Sequence, residues 1–310
     1  MKTLRAAVED YLAMRRGLGF KLHEVDKRLM NFVSFLEERG VDYITTSLAL
    51  EWAQRPSSVQ PAAWARRLSL VRGFARYHSA TDSRTEIPPP NLLPYRPRRA
   101  RPYLYTDQEI EQLLNAAFHL PPVDGLRCWS YYALLGLLAV SGLRLSEAIG
   151  LKLEDIDLRE AILTVRGSKF GKSRLVPLHA STMQILGDYK SRRDAFLAGR
   201  PALYFFISKL GNHMDKGDIH RTFYQLSRQI GLRGFDSSSG PRLHDFRHRF
   251  AVETLLRWYR AGEDVERRLP ILSTYLGHVH VSDTYWYLTA CPELMGLAVK
   301  RLERRWEVQV

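Results

Sequence analysis

Two neighbouring pieces decide the fold: LHDFRHRFAVETLL at residues 243–256 and TYLGHVHVSDTYWYL at residues 274–288. Both read as helical. His244 and Arg247 are three apart, so a helix projects them from one face, about one turn from each other. His278 follows Gly277 after an apolar run, and Tyr287 lies nine residues further on. A phosphate-handling site requires converging cations and donors together with one nucleophile. These residue types supply them if an upstream cation joins.

That cation is found in SGLRLSEAIGL, residues 141–151. Residues 128–140 are almost wholly apolar, which predicts a central helix. Gly142 breaks it and Arg144 follows at once. An arginine among apolar residues is partly buried and needs an anionic partner. Glu147, three residues on, is one candidate; a bound phosphate is the other. Downstream, residues 162–167 and 173–179 are rich in β-branched residues and predict two strands of a hairpin. Its loop carries Lys169 and Lys172. A lysine there is either simply solvated or swung into a site as a mobile acid on its flexible stem.

Elsewhere in this half, Thr106 and Glu109 form a capping box. Helices are expected over 181–196 and 218–230. A last amphipathic helix places Met295, Val299, Leu302 and Trp306 on one face, for docking at home or on a neighbour. The sum is a mainly α fold with a small antiparallel β-sheet, an α+β class.

Residues 1–80 keep helical spacing in four short stretches and predict a compact bundle. Thr46 and Ser47 are expected to cap the third helix and Pro61 to open the fourth. The fourth carries Arg66, Arg67, Arg72 and Arg76 off its apolar stripe, either as a solvated face or as a DNA contact. TDSRTEIPPPNLLPYRPRRARP, residues 81–102, holds six prolines and no periodicity. It predicts an extended, basic spacer charged by Arg96, Arg98, Arg99 and Arg101. The expected organisation is a helical domain at 1–85, a linker at 86–102, and a second domain at 103–310 ending in a helix at 292–307.

Composition agrees with this outline. The 310 residues suit two domains, and the formal net charge of +13 favours a polyanionic partner, nucleic acid before an anionic membrane. Two cysteines exclude a disulfide scaffold, and no CxxC points to zinc. The N-terminus lacks a signal peptide's apolar core, and the longest apolar run is too short to span a bilayer. A soluble cytoplasmic protein with no cofactor is the expectation.

In this order, SGLRLSEAIGL, VRGSKFGKSRLVPL, LHDFRHRFA and LGHVHVSDTYWYL resemble the catalytic domain of the tyrosine recombinases, the phage integrase family. Each piece alone is weak; four in order, each with its polar residue in place, are specific. The first 80 residues resemble that family's helical, SAM-like core-binding domain more loosely. The resemblance implies Arg144 and Arg247 as phosphate-binding arginines and Lys169 as the hairpin lysine, with Lys172 the weaker candidate. It implies His244 as the assisting base or a hydrogen-bond donor to the phosphate, and His278 as a hydrogen-bond donor to the scissile phosphate. Tyr287 would be the nucleophile, with Tyr285 its competitor; on a helix the two point about 200° apart. The implied reaction cuts and rejoins double-stranded DNA through a 3′-phosphotyrosyl intermediate, without metal or ATP. A homotetramer on paired sites, monomeric off DNA, is implied too, with accessory DNA-bending proteins or sister recombinases as further partners. The interval between Arg247 and His278, which holds residues 257–270, is longer than usual for the family and is expected to reshape a surface loop.

The chemistry is consistent. A phenol of pKa near 10 needs a positive environment or a base to attack phosphorus. Arginines bind the non-bridging oxygens and stay protonated. Three rivals exist. A metal nuclease would need clustered carboxylates. A non-catalytic sequence-specific DNA-binding protein would leave the polar constellation to coincidence. A type IB topoisomerase shares the chemistry but fits the small N-terminal bundle less well.

Overall fold

The computed structural model describes residues 3–22, 24–95, 101–122, 125–167, 173–237, 239–289 and 291–307. It divides into two compact units that meet in sequence at Ala100 and Arg101. No described helix is long and apolar enough to cross a membrane.

The first unit is a bundle of α1 (Leu4–Gly17), α2 (Val25–Glu37), α3 (Thr46–Gln54) and α4 (Pro61–His78). Its core is built on Val8, Leu29, Phe32, Trp52, Val71 and Phe74, all fully buried. Thr45, rather than Thr46 or Ser47, caps α3: its Oγ1 accepts from the Leu48 N–H at 3.2 Å. Pro61 occupies the first turn of α4, where a missing N–H costs nothing.

The proline-rich stretch departs from the expected free spacer, because as far as Tyr95 it folds onto the first unit. Arg72 donates from Nε to the Pro88 carbonyl and from Nη2 to that of Pro89, both at 2.7 Å. The Glu86 carboxylate accepts from the Thr46 N–H at 2.7 Å, and Leu93 is buried in the bundle core. Prolines contribute carbonyls with no competing N–H, and a half-buried guanidinium needs acceptors. Arg67 is likewise engaged at home: it lies 3.8 Å over the Trp52 ring and donates to the Trp52 carbonyl at 2.9 Å. Of the four arginines on α4, Arg66 and Arg76 are the exposed pair. Arg101 is exposed; Arg96, Arg98 and Arg99 lie outside the described residues.

The second unit runs α5 (Asp107–Phe118), α6 (Leu126–Ser141), α7 (Leu145–Ile149), β1 (Ile156–Asp157), β2 (Ile162–Val165), β3 (Arg174–Pro177), α8 (Ala180–Leu197), α9 (Lys216–Gln229), α10 (Leu243–Arg260), α11 (Val265–Leu276), α12 (Ser282–Tyr285) and α13 (Pro292–Glu307). The three strands form one antiparallel sheet in sequence order, with Ile162 opposite Pro177 and Val165 opposite Arg174. Leu134, Leu135, Leu137 and Leu138 of α6 are all buried. A helix apolar on every side sits in the middle of its domain, and α6 does. Residues 257–270 hold the end of α10, a short connection at 261–264 and the start of α11. A second apolar cluster joins Leu255 of α10, Leu272 and Leu276 of α11, Tyr287, and Leu294 of α13. The other face of α13 exposes Met295, Val299 and Leu302.

Candidate active site

The site is assembled at helix ends. Gly142 terminates α6 in the left-handed conformation, with φ +59°, and a Cβ there would meet the Phe250 ring at 2.7 Å. The chain therefore turns sharply, and Arg144 leads into α7. Its backbone N–H donates to Glu147 Oε2 at 3.0 Å and its Nη1 to Glu147 Oε1 at 2.7 Å. Its Nη2 approaches the Gly277 carbonyl at 3.3 Å. Burial opposes ionisation of Glu147, but Arg174 and then Arg144 outweigh it and hold the carboxyl down at about 2.

Arg247 rises from α10 with only 1% of its surface exposed. Nη1 donates to the Gly142 carbonyl at 2.9 Å and Nη2 to that of Leu276 at 2.6 Å. These acceptors lie at the C-terminal ends of α6 and α11, where carbonyls lack helical partners and carry partial negative charge. Burial, and then the charge of Arg144, lowers the Arg247 pKa to about 10, so it stays a cation at neutral pH. The Tyr287 phenol lies close enough to this guanidinium to favour its charged form, against the larger effect of burial.

Gly277, left-handed at φ +68°, ends α11 and delivers His278. His278 Nδ1 lies 2.7 Å from Thr284 Oγ1. Burial, then Arg247 and Arg144, push its pKa down to about 4. The Tyr287 ring lies nearly parallel to that of His278, with centroids 6.0 Å apart, and 5.5 Å from that of His248. His248 in turn contacts His244 edge-on at 4.7 Å. His244 keeps a solvent-exposed face, yet the protein packed around it, and then Arg247, lower its pKa. Tyr287 is 3% exposed and Tyr285 54%, so Tyr287 faces the arginines and Tyr285 faces solvent.

Residues 104–293 match the phage integrase family. The chain belongs to this family. Along 99% of its length it is 62% identical to the candidate integrase/recombinase y4rB of Sinorhizobium fredii, and covers 99% of that protein. It is 29% identical to the tyrosine recombinase XerD of Mycobacterium tuberculosis (strain H37Rv), over 93% of this chain and 94% of that one. Among solved structures, XerH recombinase bound to a palindromic difH substrate superposes with a TM-score of 0.65 at 17% identity, covering 91% of this chain and 80% of that one. The Tn1549 transposon integrase in complex with transposon right end DNA gives 0.64 at 17% identity, covering 98% and 99%. The fold of this tyrosine recombinase is thus the one expected from its sequence.

The structure of this recombinase brings Arg144, His244, Arg247, His278 and Tyr287 together from four separate segments. Lys169 and Lys172 lie outside the described residues. Among the described residues, no three His, Cys, Asp or Glu side chains gather where a metal ion could sit. Sequence reasoning passed over Arg174, which is buried and pairs with Glu147 at 2.8 Å, and over the packing of His248 against Tyr287. In sequence Arg174 is an ordinary charge at a strand end, with no local signal to mark it.

Proposed function

We propose that this recombinase cuts and rejoins double-stranded DNA through a 3′-phosphotyrosyl intermediate. The observation that carries the reading is the buried Tyr287 beside Arg247, with Arg144 and Arg247 converging on the same helix end at the Leu276 carbonyl. The Tyr287 oxygen attacks the phosphorus and the 5′-oxygen leaves, taking a proton from Lys169 as general acid. Arg144 and Arg247 bind the non-bridging oxygens as negative charge builds there. His244 assists removal of the phenolic proton. His278 is neutral at pH 7. With its Nδ1 accepting from the Thr284 hydroxyl, its proton sits on Nε2, free to donate to the phosphate. In the second step a 5′-hydroxyl attacks the phosphotyrosine and releases the phenol, so bond energy is conserved and neither ATP nor metal is used.

The net charge of +13 supports a duplex partner, as do the DNA-bound states of XerH and the transposon integrase. Arg66, Arg76 and Arg101, being exposed, are the proposed phosphate contacts, together with Arg96, Arg98 and Arg99 by their charge. The working unit is a homotetramer on two paired sites, formed on DNA from monomers in the cytoplasm. The exposed stripe Met295, Val299 and Leu302 on α13 suits a contact between neighbours.

The test is covalent trapping. Nicked suicide duplexes from the flanks of the gene are incubated with the protein in EDTA and run on a denaturing gel. A slow-migrating adduct lost in Tyr287→Phe and kept in Tyr285→Phe supports the reading. Binding of the same duplex without any adduct overturns it.

A further inference from the structure

The Glu147 carboxylate is shared unequally between two arginines. Arg174 opens β3, immediately after the segment holding Lys169 and Lys172. It grips Glu147 at two points, Nη2 to Oε2 at 2.8 Å and Nη1 to Oε1 at 3.2 Å. Its Nε donates to the Tyr275 carbonyl at 2.7 Å, so all three nitrogens have partners and the side chain is fixed. Arg144 has one side-chain bond to the same carboxylate, at 2.7 Å, and its remaining contacts are long: 3.5 Å to the Leu276 carbonyl and 3.3 Å to that of Gly277. The fold makes room for Arg174, since a Cβ on Gly277 would lie 2.8 Å from its Nη1 and 3.1 Å from Cζ.

We propose that Arg174 is a positioning residue for strand cleavage: by holding Glu147 in a two-point grip from β3, it limits Arg144 to one side-chain bond with that carboxylate and leaves the rest of the guanidinium for a phosphate. The inference rests on the reading of Arg144 as a phosphate ligand. Its logic is electrostatic. A buried carboxylate left without its partner is costly, and takes the nearest cation. With Arg174 removed, that cation is Arg144, whose backbone N–H already bonds Glu147. Fork-to-fork pairing with Glu147 would use the same N–H groups that a phosphate needs. Lysine at position 174 would keep the charge but not the two-point geometry. Through the Tyr275 carbonyl, Arg174 also ties the hairpin to the end of α11 that delivers His278.

Two readouts on the full-length chain test this. Without DNA, the reactivity of Arg144 toward phenylglyoxal is followed by peptide mass spectrometry. With DNA, adduct formation on a nicked suicide duplex is timed at saturating duplex, alongside duplex affinity. In Arg174→Met, Arg144 labelling slows and the cleavage rate falls about tenfold, the equivalent of one charge-assisted hydrogen bond, while affinity for the duplex holds. Neutralising the stranded carboxylate in Arg174→Met/Glu147→Gln restores labelling and part of the rate. A residue that only braced β3 would give no such rescue. Arg174→Lys falls between wild type and Arg174→Met, and decides the matter if the methionine variant does not fold. Unchanged Arg144 labelling in Arg174→Met, a folded double variant no faster than the single one, or Arg174→Lys equal to wild type in both readouts overturns the proposal. If wild-type protein forms no adduct, the cleavage reading fails, and the labelling series still decides whether Arg174 limits Arg144 to a single bond with Glu147.

Discussion

Adding one methyl group at Gly277 tests the geometry of the site most directly. Gly277→Ala meets two separate obstacles. The backbone at φ +68° is left-handed, which costs an L-residue roughly 1–2 kcal/mol. The new Cβ would also sit 2.8 Å from Arg174 Nη1, a contact that must open by several tenths of an ångström. Arg174 cannot yield cheaply, because Glu147 and the Tyr275 carbonyl hold it at three points. Disturbing such charge-assisted bonds costs roughly 1–2 kcal/mol more. The expected loss is therefore about 2–4 kcal/mol, or roughly 5–15 °C in the melting temperature of a unit of this size. Urea denaturation of the full-length protein, repeated in an Arg174→Met background, separates the two parts. In that background the alanine should cost only its backbone share, about 1–2 kcal/mol. An equal cost in both backgrounds would falsify the steric argument, and a loss below about 0.5 kcal/mol would remove the backbone argument as well.

Other expectations concern separate parts of the molecule. His278 has a folded pKa of about 4, below the ordinary 6.5, so protons favour the unfolded chain. Its contribution is complete above pH 6.5 and is lost as pH falls toward 4. At most this is ~3 kcal/mol, reduced to roughly half by solvent reaching the ring. Denaturation at several pH values should show a shallower decline for His278→Asn; parallel profiles would contradict it. Arg72→Ala frees the stretch around Pro88 and Pro89 and destabilises the first unit by about 1–3 kcal/mol. Limited proteolysis should then cut within residues 86–95, and an unchanged digestion pattern would count against the packing described. Replacing Met295, Val299 and Leu302 together by serine should weaken the pairing of two bound duplexes more than the binding of one, measured by gel shift. Equal losses would assign that stripe another role.

The parts of this architecture that follow from local pattern were open to sequence reasoning. The all-apolar run at 128–140 made α6 central, and Gly142 marked its end. The three-residue spacing of His244 and Arg247 placed them on one helical face. The preference for Tyr287 over Tyr285 came with the family resemblance, and Tyr287 is the buried ring of the two. What stayed hidden depends on distant partners. Arg174 reads as a solvated strand end until Tyr275, a hundred residues on, supplies a carbonyl and Glu147 a carboxylate. The stretch at 86–95 reads as a spacer because prolines leave no periodicity. Its anchor is a guanidinium on α4 whose acceptors cannot be guessed from either segment alone.

Arg247 joins the ends of two helices as well as facing Tyr287, the proposed nucleophile, and this bears on how such a gene decays. A copy in which Tyr287 becomes phenylalanine keeps both the buried ring and the arginine bridge, and on the proposed chemistry would fold and bind without cutting. A copy that loses Arg247 leaves the Gly142 and Leu276 carbonyls unanswered in the interior and disappears with its fold. Inactive descendants that keep their fold should therefore carry changes at the tyrosine and retain the arginine.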